Sequence, residues 1–225
     1  FYEPDVFGIQ EAKPEQVSFL ADKLPAYSFV SKGSDEGGQG EASSVFFKKG
    51  RYRLESSGTF WLSETPEQYS KGWDAALPRI CTYVLLLDKT SGKRFWVFNT
   101  HLDHIGETAR TKGIETILKK IEALNGRNYP VVLMGDFNSS PETPRIKQLS
   151  EKMQDVHTAG LQPAFGPKGT FNGFDHHKTV TEKIDYIFIS KYESFDVIKC
   201  AVLSDSDQGR YPSDHLPVYA ELTFK

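Results

Sequence analysis

Cysteine is nearly absent from this chain: Cys81 and Cys200 are the only two in 225 residues. Two thiols make neither a disulfide framework nor a four-cysteine zinc site. Both sit in apolar runs, where a buried free thiol is the expected state. Long hydrophobic runs are missing too. The longest, at 82–87 and 131–134, fall far short of the roughly 20 residues that a membrane-crossing helix needs. There is no basic excess either. Lys and Arg number 27 against 30 Asp and Glu, a net charge of −3, so no global positive field advertises nucleic acid. The chain opens Phe1-Tyr2-Glu3-Pro4 without an initiator methionine, and this end carries neither the basic nor the apolar stretch of a secretion signal. It identifies no compartment. Repeats, heptads and Pro- or Ser-rich linkers are also lacking, so a single domain over 1–225 is expected.

What is present is an ordinary globular balance. Hydrophobic residues make up 38% and aromatics 13%, which excludes a disordered chain. Alternating or continuous apolar runs predict strands at 6–10, 44–47, 52–61, 80–88, 94–100, 131–135, 184–189, 195–203 and 217–224. Helical spacing predicts helices at 13–24, with Pro14 in the first turn, at 108–124 and at 143–150. The stretches 31–42, rich in glycine, and 158–181 read as loops, and 63–73 as an irregular excursion. Many strands with a few helices between them suggest two packed sheets with helices outside.

The polar residues are placed less ordinarily. Five hydrophobic runs each end in acids, amides or histidines: Phe7-Gly8-Ile9-Gln10-Glu11, Val97-Phe98-Asn99-Thr100-His101-Leu102-Asp103-His104, Val131-Val132-Leu133-Met134-Gly135-Asp136-Phe137-Asn138, Lys183-Ile184-Asp185-Tyr186 and Ser213-Asp214-His215-Leu216. Any one of them has a bland explanation, such as a turn or a solvated pair. Asp185 inside an apolar strand is harder to dismiss, because a buried acid is costly unless paired. Strands of one sheet bring their ends to one rim, so the five sets are expected to converge. Two carboxylates ~4 Å apart repel by about 4 kcal/mol at an effective dielectric of 20. A group of four, Glu11, Asp136, Asp185 and Asp214, therefore calls for protonation or a hard divalent cation with oxygen ligands. Histidines and amides beside such an ion suit a phosphate ester.

The ordered set QE, NTHLDH, GDFN, IDYIF and SDHLPV resembles the endonuclease/exonuclease/phosphatase superfamily of deoxyribonuclease I-like hydrolases, from Gln10 to Val218. Gly72-Trp73-Asp74-Ala75-Ala76-Leu77-Pro78-Arg79 and Gly169-Thr170-Phe171-Asn172-Gly173-Phe174 are similar to segments of its small bacterial members. The resemblance implies an α/β (α+β) fold, a four-layer αββα sandwich of two central, mostly antiparallel sheets flanked by helices. It also implies a phosphoester hydrolase dependent on Mg²⁺ or Mn²⁺. By that resemblance Glu11 ligates the metal, with Asp214 near it. Asp136 orients or deprotonates the attacking water, with the Asn138 amide beside it. His101 contacts the scissile phosphate, and Asp185 orients His215. The family's first strand ends in an Asn-Ile signature whose Asn helps hold the metal. Nothing before Phe1 supplies it, and the expectation is that an N-terminal segment precedes this chain.

Arg79, Asn99, Trp73 and Phe174 are the expected substrate-binding residues, an arginine for phosphate and rim aromatics for a base or headgroup. Asp103 and His104 are expected to support His101. Lys48, Lys49, Arg51 and Arg53 read as a solvated hairpin. The expected substrate is a phosphoester: a short or single-stranded nucleic acid, a nucleotide, or a phosphorylated small molecule or lipid headgroup. The expected state is a monomer. Two rivals remain. Asn99-Thr100-His101-Leu102-Asp103-His104 resembles the H-x-H-x-D-H signature of metallo-β-lactamase-type zinc hydrolases, but Asn99 stands where the first ligand belongs. The other rival is a module of the same fold that binds phosphoesters without cutting them.

Overall fold

The computed structural model describes residues 2–160, 162–192 and 195–225. Leu161, in the loop expected at 158–181, lies outside the described residues. By contact the chain divides into two compact units, Phe1–Asp136 and Phe137–Lys225.

The first unit opens with β1 (Val6–Ala12), α1 (Pro14–Lys23), β2 (Tyr27–Val30) and β3 (Ala42–Lys48). Pro14 begins α1, where its missing N–H costs nothing, and Val17 is the buried residue of the helix. The three strands form an antiparallel sheet in the order β1-β3-β2. The middle strand, β3, is buried for six residues in a row, as a strand covered on both faces must be. Beyond it run β4 (Tyr52–Trp61), β5 (Ile80–Asp88), β6 (Arg94–His101), α2 (Glu107–Leu124) and β7 (Val131–Asp136). The strands β4, β5 and β6 pair antiparallel, and α2 crosses over so that β7 runs parallel to β6. Strand β3 packs on β5 and β6, and β1 on β6 and β7, so two sheets face each other within this unit. Val45, Phe46, Val84, Leu86, Phe98 and Leu133 fill its core.

The second unit holds α3 (Pro144–Lys152), β8 (Met153–Asp155), α4 (Val156–Ala159), β9 (Asp185–Ser190), β10 (Phe195–Val202) and β11 (Val218–Phe224). Strands β8 and β9 pair antiparallel, as do β10 and β11. Phe137, Tyr186 and Phe188 make a buried aromatic cluster, and Val180, Val202 and Leu216 another small core.

Most elements lie within two or three residues of their expected bounds. Three elements were not expected: β2, β8 and α4. Each has three or four residues, too few to display a period. The start of the expected 158–181 loop is the end of α4, and the 31–42 loop contains a 3₁₀ turn at Glu36–Gly38 before β3 begins. Cys81 and Cys200 are free and buried, as expected. Among the described residues no helix is long and apolar enough to cross a membrane.

Gly135 shows why one position admits a single residue type. Its φ is 138°, and a Cβ there would lie 1.9 Å from the Thr100 carbonyl oxygen of the neighbouring strand. Gly135→Ala is therefore expected to cost about 2–3 kcal/mol, from strain and overpacking together. Urea unfolding measures it, and a loss below about 0.5 kcal/mol would contradict the tight approach of β6 and β7.

Candidate active site

Two strand ends build the centre of the first unit's site. In the parallel ladder of β6 and β7, His101 stands directly opposite Asp136. The Leu102 N–H then donates to the Asp136 carbonyl at 2.9 Å, which fixes both chain ends at the register where the side chains meet. His101 Nε2 lies 3.3 Å from Asp136 Oδ2 and 3.9 Å from Glu11 Oε1. Histidine and aspartate are buried, while the Glu11 side chain is 63% exposed.

Glu11 reaches this position through an irregularity. The ladder between β1 and β3 slips between Ile9 and Ala12, and Glu11 there has φ 60°. Holding a non-glycine residue in that region costs about 1–3 kcal/mol. The bulge re-aims the side chain out of the regular alternation. Asn99 supports the same segment. Its amide donates to the Ile9 and Ser44 carbonyls at 2.9 Å each, and its oxygen accepts from Gln10 Nε2 at 2.7 Å. Asn99, expected to bind substrate, is fully buried. It ties β6 to β1 and β3 and so positions Gln10 and Glu11.

Arg79 is also placed differently from expectation. It is 7% exposed. Its guanidinium meets His101 Nδ1 at 3.0 Å, His104 Nδ1 at 2.9 Å and Asp103 Oδ2 at 3.4 Å. Asp103 in turn accepts from the N–H groups of Ala76 and Leu77 on one oxygen, and of Ile105 and Gly106 on the other. Asp103 and His104 thus support His101 through Arg79, a route that residue spacing does not reveal. Burial by itself pushes the Asp103 carboxyl up, but the four backbone donors outweigh it and hold the group well below the usual carboxylate range. Asp74 completes the arrangement by accepting from Thr108 and Ala109, so the 74–79 loop and the start of α2 hold each other by one carboxylate each. A narrow cleft beside the cluster is lined by Glu11, Ser34, Glu41, Pro78, Arg79 and His101.

The second unit carries its own dyad. His215 Nδ1 lies 2.9 Å from Asp185 Oδ2. An ionised carboxylate only accepts, so Nδ1 carries the proton. The Thr170 hydroxyl accepts from the N–H groups of Ile184 and Asp185 at 3.1 Å each and anchors the strand at the acid. Phe171 packs its edge on the His215 ring at 5.1 Å between centroids. Asn172 donates through its amide to the Ser213 carbonyl, and its N–H and that of Gly173 donate to the Asp214 carbonyl. Thr170 and Asn172 were missed as site-building residues, because their partners lie 14 to 41 positions away and leave no local pattern. Asp214 is half-buried, with its carboxylate 3.4 Å from the Ser213 hydroxyl. Asn138 is half-buried at φ 43°. Phe174 is 65% exposed at φ 61°, its N–H donating to the Asn172 side chain. In the first unit, Trp73 is half-buried at φ 48°. A hollow of about 400 Å³ in the second unit, lined by Ser150, Met153, Gln154, Asp155, Thr158 and Lys191, holds none of these residues.

Lys48, Arg51 and Arg53 of the basic hairpin are paired with acids within the first unit. Lys48 and Arg51 pair with Asp5, Arg51 also with Asp88, and Arg53 and Arg94 with Glu55.

Comparison with known proteins agrees with this geometry. The model of the Endonuclease/Exonuclease/phosphatase family matches residues 2–215, and the chain belongs to that family. Its class is that of the phosphoester hydrolases, and its fold the expected α/β, deoxyribonuclease I-like one. Among solved structures, a mannosyl-6-phosphatase of Bacteroides thetaiotaomicron is 36% identical with a TM-score of 0.93, over 99% of this chain and 86% of that one. A functionally unknown conserved protein of Enterococcus faecalis is 35% identical with a TM-score of 0.92, over 100% and 87%. An uncharacterized protein of Acanthamoeba polyphaga mimivirus is 27% identical over 96% of this chain and 84% of its own length.

The Asp103 carboxylate gives a pH-dependent test. Its pKa is depressed by folding, so its contribution is complete above the unfolded value near 3.9 and fades as pH falls below it. Asp103→Asn is expected to lose about 2–3 kcal/mol at neutral pH, since an amide leaves buried donors unpaired. That deficit should shrink in urea melts below roughly pH 4. A deficit constant with pH would mean that Asp103 is not ionised in the fold.

Proposed function

We propose that this protein is a divalent-metal-dependent phosphatase of small phosphomonoesters, with a phosphorylated sugar as the substrate class. The observation that carries the chemistry is the convergence of Glu11 and Asp136 on one nitrogen of His101. The substrate class rests on the resemblance to the mannosyl-6-phosphatase, and the pairing of Lys48, Arg51 and Arg53 with acids makes the hairpin less cationic than its sequence suggests.

The donor set fits Mg²⁺ or Mn²⁺. Glu11 offers an exposed carboxylate, a hard oxygen donor, on a backbone held at a cost in strain. Glu11 would be a ligand of the ion, which when bound would neutralise phosphate charge and lower the pKa of a water on it. Asp136 aligns the attacking water and accepts its proton, with the Asn138 amide as a further hydrogen-bond partner. His101 contacts a non-bridging phosphate oxygen. His215, its ring held by Asp185, presents Nε2 to the phosphoryl group, where an imidazolium stabilises the charge that builds up as the new P–O bond forms and the ester P–O bond breaks.

The test is turnover of mannose 6-phosphate, p-nitrophenyl phosphate and bis(p-nitrophenyl) phosphate with Mg²⁺, Mn²⁺, Zn²⁺ or EDTA. EDTA should abolish turnover, Mg²⁺ or Mn²⁺ should restore it, and the monoesters should lead. Preference for the diester would redirect the reading to a phosphodiesterase on short or single-stranded nucleic acid. Activity with zinc alone would favour the metallo-β-lactamase-type rival, and no turnover with any metal a binding module. Asp136→Ala and His215→Ala are expected to lower kcat about a hundred-fold or more with the thermal midpoint retained. Glu11→Gln should raise the metal concentration needed for half-maximal rate, and an unchanged titration would remove Glu11 from the metal site.

A further inference from the structure

Arg79 meets two imidazole rings, each through Nδ1, at 3.0 Å for His101 and 2.9 Å for His104. A guanidinium has five N–H donors, no acceptor, and does not deprotonate in a protein. A ring nitrogen at hydrogen-bond distance from it must therefore supply a lone pair. A proton on that nitrogen would set two donors against each other about 3 Å apart. We infer that Arg79 is a positioning residue that fixes the His101 proton on Nε2, so that His101 acts on the phosphoryl group as a hydrogen-bond donor and not as a base.

The other side of the ring agrees. Nε2 faces Asp136 Oδ2 at 3.3 Å and Glu11 Oε1 at 3.9 Å, both acceptors. A lone pair there would point at carboxylate oxygens. The orientation of Arg79 is itself set, because Nε donates to Asp103 and leaves the two terminal nitrogens to fork between the rings. A phosphate contact alone would explain neither the burial of Arg79 nor the pairing of each terminal nitrogen with a histidine. Lysine, with one point charge, cannot reproduce the fork.

The inference deepens the phosphatase reading and depends on it for the reaction in which His101 takes part, but its decisive readout is not turnover. Long-range proton–nitrogen spectra of protein labelled with ¹⁵N-histidine report which ring nitrogen is protonated, and His101→Gln and His104→Gln assign the two rings. Both should show an unprotonated Nδ1 and a protonated Nε2. In Arg79→Lys the His101 ring should become a mixture of tautomers, and kcat should fall about ten-fold with KM within about two-fold. A proton on Nδ1 of His101 in the wild-type protein overturns the inference. So does Arg79→Lys with both tautomers intact and only KM raised, the signature of a phosphate contact. If the variant fails to fold, the wild-type spectrum decides by itself. The expected tautomers in a protein without metal-dependent turnover would sink the phosphatase reading and leave the role of Arg79 standing.

Discussion

The Asp103 carboxylate is the interaction on which the first unit's site depends. It gathers five donors: the N–H groups of Ala76, Leu77, Ile105 and Gly106, and Nε of Arg79. Burial of an isolated acid is prohibitive, so the donors are what keep it charged. Three consequences follow from one group. The chain leaving β6 is turned into the start of α2, the 74–79 loop is fixed to that turn, and Arg79 is aimed at two histidines. Folding and chemistry are coupled here, because the atoms that end a strand and begin a helix also orient the group that orients His101.

The two histidines given roles in the reaction differ by the charge of what holds them. Asp185, an acceptor, receives a hydrogen bond from the Nδ1–H of His215. Arg79, a donor, takes the Nδ1 lone pair of His101 and leaves an N–H on Nε2, toward Asp136. One side-chain type thus serves two purposes, a ring that gains and stabilises charge and a ring that only donates, because its neighbours set the proton's place. The amino acids themselves do not carry that difference. Exchanging the partners, acid for base, would exchange the roles.

Much of the fold was legible because strands buried on both faces carry continuous apolar runs, as in β6 and β7. The polar residues that end those runs were legible for the same reason: an acid or histidine directly after a core strand stands out. Asp136 and His101 were found this way, and their register confirms how close they stand. What spacing could not supply was the second tier of contacts. Asn99 looked like a group available to substrate, yet its amide is consumed by Ile9, Gln10 and Ser44, some 55 to 90 positions away. Thr170 and Asn172 hold the dyad across gaps of 14 to 41 positions. Hydrogen bonds between remote segments follow from topology, and topology is not periodic. Elements of three or four residues escaped for a simpler reason, since they are shorter than one period of the helix and barely two of the strand.

Backbone strain supplies an argument for the site that owes nothing to motif order. Among the described residues, seven that are not glycine have positive φ: Glu3, Glu11, Trp73, Asn128, Asn138, Phe174 and Gln208. Four of these, Glu11, Trp73, Asn138 and Phe174, were singled out from sequence as site residues before any dihedral angle was known. Asparagine tolerates that region, but a glutamate, a tryptophan and a phenylalanine do not enter it without cost. A glycine at any of the three would relieve the strain and discard the side chain. The chain keeps the side chain and bears the strain, and the regular ladders of β1 and β3 on either side of the bulge keep Glu11 from relaxing. Strain held in place by rigid neighbours would keep the carboxylate aimed without a ligand, as the proposed metal site requires. Glu11 is thereby distinguished from an ordinary solvent-facing glutamate at a strand end, a distinction that its exposure alone would not make.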